Sequence, residues 1–596
     1  MKVNRLLLSL ASLALLSGVA PQANTLYPHD IQGAGYLSTL VGKTVSNVQG
    51  VITAKDGTNS CFIQTPNDQV DNDDRTSEGL YVFHSNACSD FAVGDLIQIG
   101  SAKVAEYSTS KTNLRLTELT GANQTTLIRS GANSASPVII GTNGSRTPPQ
   151  KYIGIKNPFA LPANQTTLEG GDRAKSLDVK TYGADFWESL ENTLVTLPSP
   201  TVLGPLTSFG EVYIVPSGLD NPSQNGRGGL TLAADENATS DDTRWDNNPQ
   251  AIQLVKAFDG SNVDANIRLG DVLEDVTGIV GYDFGLYTIT PLTAPKVGQR
   301  KSGDAIPAPF KTTGKCDNFI AATFNVENLS PANSSRITKI GGYIDSHLKD
   351  PDVVVLNEIQ DDDGPTDDGV VNANKTLDAV VAAIKGASYS YAYIDPANKK
   401  DGGEPGGNIR QAFIYRKDTL KLSPAPVGGT NDAVDVKSVN GKAKLTLNPG
   451  RIDPNNTAWR NSRKPLVGQF DLQDGSGQSV IVIGVHLTSK GGSGTNYQNP
   501  QAPINGGVDS RNAQAQVLRN FVQKILQVQS DAKVILTGDL NEFSYVQPLN
   551  TLTGGSPSVL KEVIISKRVE RYSYIFQQNC QELVSKCKYV IIHLKR

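Results

Sequence analysis

Sulfur and imidazole are scarce in this chain of 596 residues, which has one methionine, five cysteines and five histidines. No CxxC pair and no His/Cys cluster is present, so the sequence carries no zinc framework. The odd cysteine count leaves at least one thiol without an intramolecular partner. Extended apolar runs are scarce too. The one at Leu6 to Leu16 is shorter than the roughly 20 residues that span a bilayer, and no later stretch could span one. A surplus of positive charge is also missing. With 55 Lys and Arg against 59 Asp and Glu the formal net charge is -4, which excludes capture of polyanions by a global positive field. Any polyanion site must be basic locally.

Glycine and proline are plentiful, at 56 and 32, and with 38% hydrophobic residues they describe a turn-rich, β-containing globular chain rather than a disordered or helical one. The length exceeds what one core can organise, and at roughly 150 residues per domain it divides into about three or four units. Met1 to Arg5, the apolar run and the small residues up to Ala23 have the layout of a secretory signal. Residues 1–23 are therefore read as a signal peptide, and the mature chain as secreted, extracellular and without a membrane anchor. Asn-X-Ser/Thr triplets at Asn123, Asn143, Asn164, Asn237, Asn328, Asn333, Asn374 and Asn455 are candidate glycosylation acceptors on that route. Cys61 and Cys88, each beside a strand-like run of the same unit, form the best single disulfide pairing.

Residues 24–130 alternate short apolar runs with turn residues, as in Val45 to Thr53, Cys61 to Gln64 and Gly79 to Phe83, and predict a small antiparallel barrel. A second β-rich unit is expected over 149–295, with strands at Thr193 to Leu197 and Glu211 to Val215. Its Gly270-Asp271 segment echoes Gly94-Asp95 of the first unit. The Gly-, Pro- and Lys-rich stretch 296–314 reads as a linker. From 315 to 596 strands alternate with helices. Strands are expected at 320–325, 353–357, 480–485 and 532–536, and helices at 336–348, 376–385 and 511–527. The last helix gathers Ala513, Ala515, Val517, Leu518, Phe521, Val522 and Ile525 on one side, so this part is a layered α/β unit.

Polar groups cluster where those strands end. In order they are Phe324-Asn325-Val326-Glu327-Asn328, Asn357-Glu358-Ile359-Gln360, Gly407-Asn408-Ile409-Arg410-Gln411, Val485-His486-Leu487-Thr488-Ser489-Lys490 and Gly538-Asp539-Leu540-Asn541. Cutting a phosphodiester needs a cation against the phosphoryl oxygens, an aligned water and a proton donor for the leaving oxygen, and these residue types fit much of that list. The ordered set resembles the endonuclease/exonuclease/phosphatase family, in its secreted nuclease branch, over residues 318 to 576. Val48-Gln49-Gly50-Val51, Phe62-Ile63-Gln64-Thr65-Pro66 and Thr76-Ser77-Glu78-Gly79 resemble an OB-fold module of extracellular nucleases.

The resemblance implies a multidomain fold: N-terminal OB-fold-like β domains, then a deoxyribonuclease-like α/β four-layer sandwich. It also implies a nuclease acting on DNA, with RNA as a second substrate, and no obligate protein partner is evident. Glu358 would be the main ligand of Mg2+, with Mn2+ or Ca2+ as alternatives, and Asn325 would orient that shell, although Glu327 competes for the ligand role. By the resemblance Asp539 would position the attacking water, Asn541 would hold a phosphate oxygen, and His486 would contact the phosphate or protonate the leaving group. Asn408, Arg410, Arg463, Lys464, Lys490 and Arg511 flank the motifs and are expected to contact substrate phosphates. The acidic run Asp361-Asp362-Asp363 with Asp367-Asp368 lacks EF-hand spacing and reads as a solvated loop.

The resemblance breaks near the C-terminus. After Tyr572-Ser573-Tyr574-Ile575-Phe576, Val584-Ser585 stands where the family has an Asp-His pair, and His593 matches neither of the family's later segments. The sandwich is thus expected to lack a strand, and this chain to turn over poorly, since loss of a general base costs about two to four orders of magnitude. Two other readings remain: a phosphoesterase acting on lipid or other phosphate esters, and a noncatalytic protein that binds nucleic acid or glycan.

Overall fold

The computed structural model describes residues 24–83, 86–141, 144, 146–150, 166–171, 173–207, 209–219, 224, 228–230, 248–301, 311–315, 318–495, 497–501, 504–543, 546–554, 558–562, 576–578 and 589–593. The signal segment, most of the polar loop 217–250, the linker core 302–310 and the landmark Tyr572 to Ile575 lie outside the described residues.

The first unit is built on β1 (Thr44–Asp56), β2 (Ser60–Gln64), β3 (Gly79–Phe83), β4 (Leu96–Tyr107) and β5 (Leu116–Asn123). β1 pairs with both β2 and β4, and β3 pairs in parallel with β5, so the order 1-2-3-5-4 closes back on β1. The strand Thr126–Arg129 adds an exposed edge on β4, and alternate residues of the barrel turn inward, where Val48, Ile52, Ile63, Val82, Ile97, Ile99, Val104 and Leu119 form one core. The expected disulfide is present: Cys61 on β2 joins Cys88 with their Cα atoms 6.1 Å apart. Closing a loop of 27 residues stabilises the fold by about 3.5 kcal/mol in the chain-entropy account.

Nine strands make the second unit, from Val138–Ile139 at one edge to Val297–Gln299 at the other. The edge strand Val297–Gln299 pairs with Val272–Leu273, so the stretch expected to be linker from residue 296 begins inside this sheet. The short helix Gly183–Glu188 is buried on every side, with the indole of Trp187 donating to Pro249 O at 2.8 Å. This unit seals the barrel below it. Gln32 donates to Gly79 O and Glu191 Oε1, Thr117 N donates to Glu191 Oε1, and Leu194 N donates to Gln64 Oε1.

The third unit is built on two large sheets, beside a small hairpin of Val436–Val439 with Lys442–Leu445. One contains β6 (Phe319–Leu329), β7 (Val353–Ile359), β8 (Tyr389–Tyr393) and β9 (Arg410–Arg416), with helices α1 (Ser334–Ser346) and α2 (Asn374–Ala383). The other contains β10 (Leu466–Leu472), β11 (Ser479–His486) and β12 (Lys533–Asp539), with helix α3 (Val508–Val528). Period-two side chains decide what each face meets. Val354 and Leu356 of β7 pack on Ile337, Ile340, Ile344 and Leu377 of the helices. Val353 and Val355 point the other way and pack with Phe413, Leu466, Phe470, Val480 and Val482, which joins the two sheets. Ile481, Ile483 and Val485 then meet Leu518, Phe521, Val522 and Ile525 of α3. Burial on both faces explains why β7 and β11 read as unbroken apolar runs.

Two findings bear on the sequence reading. Tyr589–His593 forms a strand parallel to β12, with His593 opposite Gly538, and Phe576–Gln578 pairs antiparallel with the start of β6, so residues near the C-terminus add a strand to each sheet. On α3, Ala513 is exposed, and the inward side includes Arg511 and Gln514, because both polar groups have buried partners.

Candidate functional site

Register brings the motifs together. β6 and β7 run parallel with Asn325 opposite Asn357, and β11 and β12 run parallel with His486 opposite Asp539. Parallel neighbours end at the same edge, so four motifs far apart in sequence meet at one rim of the two stacked sheets. Gly538 allows the last approach: its φ is +144°, and a Cβ there would sit 1.9 Å from Val485 O.

At that rim the Asn325 amide donates to Glu358 Oε1 at 2.9 Å and to Asp539 Oδ2 at 3.1 Å. Asn328 N donates to Glu358 Oε2 at 3.1 Å, and Asn541 N donates to Asp539 Oδ1 at 2.8 Å. His486 Nε2 lies 3.7 Å from Glu358 Oε1 and 3.9 Å from Asp539 Oδ2. Asn541 donates its amide to Leu487 O at 3.0 Å, and Arg463 reaches the same carbonyl at 2.7 Å. Glu327, Asn328, Glu358 and Asn541 all have φ between 49° and 65°, a left-handed conformation that costs non-glycine residues about 1 kcal/mol or more each. Such strain persists where surrounding structure fixes it.

Burial and the Arg463 charge hold the His486 imidazole well below its ordinary pKa, so it is neutral in the folded chain. Its Nδ1 is buried without a hydrogen-bond partner, and so is Arg463 Nε. The Glu358 and Asp539 charges oppose the desolvation that lowers the Arg463 pKa. The donor set fits a hard divalent cation: carboxylates and amides converge on one small space, with a guanidinium behind them and no thiolate.

The flanking cations divide differently. Arg463, only 6% exposed, lines the rim. Arg410 is turned into the fold, where it bonds Asp395, Val371 O and Asn408 O. Asn408 is buried among Asp361, Val370 O, Asn398 and Lys399 N. Arg511, fully buried, donates to Glu542, Asn505 and three carbonyls, while Lys490 pairs with the same Glu542 at 2.6 Å. Lys464 pairs with Asp401 at 2.7 Å. These five positions, expected to face phosphates, have partners within the fold that tie loops together, because buried polar groups bind the partners nearest to them.

Sequence reasoning missed three supports. Asn357 is fully buried; its amide donates to Val485 O and accepts from Asp539 N, both at 3.1 Å, linking the two sheets beneath the site. Gln411 accepts from His486 N at 3.1 Å, and Glu404 accepts from Asn328 at 2.9 Å. An asparagine inside the apolar run of β7 was the available signal for the first; nothing in sequence marks Glu404. Elsewhere His29, Asp71 and Glu78 approach within 4.8 Å, a cluster that only folding assembles. His29 Nδ1 already bonds Glu78 at 2.8 Å, and Thr76 bonds Asp71.

A sequence-family model described as a domain of unknown function (DUF8508) matches residues 139–302, most of the nine-stranded unit. No curated protein matches the chain. Among solved structures, an endonuclease/exonuclease/phosphatase family protein from Bacteroides thetaiotaomicron is similar at 16% identity and TM-score 0.23, over 39% of this chain and 67% of that one. Truncated Caenorhabditis elegans TDP2 matches at 15% identity and TM-score 0.21, over 38% and 63%. ANGEL2, a 2′,3′-cyclic phosphatase, matches at 14% identity and TM-score 0.25, over 43% and 61%. At such scores these likenesses carry no argument about activity. Among the described residues no helix is long and apolar enough to cross a membrane.

Proposed function

We propose that this chain is a secreted, divalent-metal-dependent phosphodiesterase that hydrolyses extracellular DNA, with RNA as a second substrate, on a deoxyribonuclease-like sandwich preceded by an OB-like barrel. The observation that carries the reading is the convergence of Asn325, Glu358, His486, Asp539 and Asn541 at one rim. Glu358 would hold Mg2+ (Mn2+ or Ca2+ in its place) with Asn325 aligning its carboxylate, and the bound ion supplies charge to offset that on the phosphoryl oxygens. Asp539, fixed by Asn325 and Asn541 N, would orient the attacking water. Asn541 would face a phosphate oxygen. Neutral His486 would donate a hydrogen bond to the phosphate rather than deliver a proton as an imidazolium. Arg463 would favour an anion in the same space.

The Val584-Ser585 departure supports slow turnover, and the experiment therefore reads binding as well as rate. Calorimetric titration with MgCl2 should show a site that Glu358→Gln weakens at least tenfold. DNA cleavage should stop with chelator and resume with MgCl2, while sphingomyelin is left intact. Equal Mg2+ binding by both chains, or faster release from the lipid than from DNA, would overturn the proposal. DNA binding with no metal-dependent cleavage by a chain that does bind Mg2+ would favour the noncatalytic reading.

A further inference from the structure

A cleft of about 460 Å³ lies where the outer face of the barrel meets the nine-stranded unit. Strand register builds the barrel wall of it. Phe62 on β2 stands opposite Tyr81 on β3, and Tyr81 stands opposite Glu118 on β5, so two rings and a carboxylate form one row across three strands. Their chain neighbours Ile63, Val82 and Leu119 point into the barrel core, which turns this row outward. The other unit contributes Glu211, Tyr282 and Asp283, with Phe209 and Phe284 in turns.

Seven aromatic side chains line the cleft, and two of them, Phe209 and Phe284, are 85% and 74% exposed. Large rings left in solvent around one concavity mark a binding surface. The charged groups of the lining are Asp56, Glu118, Glu211 and Asp283 against Lys256. Three of these acids have donors: Asp56 accepts from Tyr81 Oη, Glu211 from Gln253 and Asp283 from Phe284 N. Glu118 has none among the described residues. It is 6% exposed, it lines the cleft, and burial raises its pKa with no donor or cation to oppose the shift. A carboxylate that has lost its water and gained no partner is destabilising until a cation meets it.

We propose that this cleft binds a linear aliphatic polyamine, with an ammonium group against Glu118 and methylene stretches laid on the rings. The surplus of acids repels phosphates, so a nucleic-acid strand is disfavoured on this face. A neutral sugar can stack on the rings but leaves Glu118 without a counter-charge. An ammonium meets both features, since it is attracted to the carboxylate and to the face of Tyr or Phe alike. Charges separated by apolar spacers in the ligand match acids interleaved with rings in the wall. The volume falls within the roughly 300–1,000 Å³ of small-molecule sites. Binding here uses neither Glu358 nor Asp539 and stands apart from the phosphodiesterase reading.

Calorimetric titration of the full chain with spermidine at pH 7.5 and low salt should give one saturable site. Glu118→Gln keeps the shape and removes the charge, and should weaken that site about tenfold or more. Phe284→Ser should weaken it about threefold, and because this ring is exposed its loss tests binding without touching the core. Without spermidine, the Glu118→Gln chain should melt no lower than its parent, which separates a lost counter-charge from a damaged fold. Glu358→Gln should bind spermidine as the parent does. No saturable binding by the parent, or binding unchanged in both Glu118→Gln and Phe284→Ser, overturns the proposal. So does spermidine binding lost with Glu358→Gln, which would place the amine at the rim. Tighter binding of cellotetraose or of single-stranded oligothymidylate than of spermidine, lost with Phe284→Ser, would overturn it in favour of a sugar or a nucleic acid.

Discussion

Two of the carboxylate clusters among the described residues are enclosed to different degrees. At the seam between the barrel and the nine-stranded unit, Glu106, Glu188 and Glu191 are enclosed by protein, and burial raises the pKa of each: Glu106 to about 7, the other two well above their ordinary value. Tyr287 Oη donates to Glu188 at 2.6 Å, while Ser38 N and Thr117 Oγ1 donate to Glu106. At the rim, Glu358 and Asp539 are instead partly open, at 19% and 10% side-chain exposure, and backed by amide donors and Arg463. Both sets of acids accept hydrogen bonds, but the seam acids are enclosed by protein while the rim acids stay partly open to solvent.

The contrast can be broken by exchanging what each cluster is asked to do. Asp539→Asn should lower kcat by about 10²- to 10⁴-fold while Tm stays within a degree or two, since Asn keeps the oxygen that accepts from Asn541 N. A large fall in Tm would make the rim structural. Arg511→Met should do the reverse. It leaves Glu542 with Lys490 as its remaining cationic partner, so unfolding free energy should drop by about 3 kcal/mol, read by urea titration, with KM for DNA unchanged. A raised KM at constant stability would return Arg511 to the phosphate-binding role expected from sequence.

The seam makes a pH prediction. Glu106 ionises near 4.5 in an unfolded chain and near 7 in the folded one, so folding takes up a proton between those values. Its contribution is complete below pH 4.5 and is lost as pH rises through 7, up to about 3 kcal/mol at 1.36 kcal/mol per pH unit. Glu188 and Glu191 act in the same direction. Urea melts of the wild-type chain between pH 5 and 8 should weaken upward, and Glu106→Gln should flatten that slope without altering turnover. An equal slope in the variant would move the effect to the other two acids.

Local pattern made much of the third unit legible. Helix α3 was expected at 511–527 and spans Val508–Val528; β7 was expected from 353, where it begins. Strands buried on both faces and helices with one apolar side leave periods that survive without neighbours. The five rim residues were legible for a related reason, since each ends a strand in a recognisable motif. Polar residues with long-range partners were not. Arg410, Lys490 and Arg511 look alike in sequence to any phosphate-binding cation, and only the positions of Asp395 and Glu542 turn them inward. Ala513 was lost to the solvent side because Arg511 and Gln514 claimed the buried face.

The sequence by itself determined where strands and helices lie, which cysteines could pair and which polar groups stand at strand ends, because those are properties of neighbours along the chain. Tertiary structure alone decided that Asn357 ties Asp539 to Val485, that Asp361 is buried and that Glu191 bridges two units. The cost of burying a charge or an unpaired donor depends on what lies across the gap, and that is set by parts of the chain hundreds of residues away.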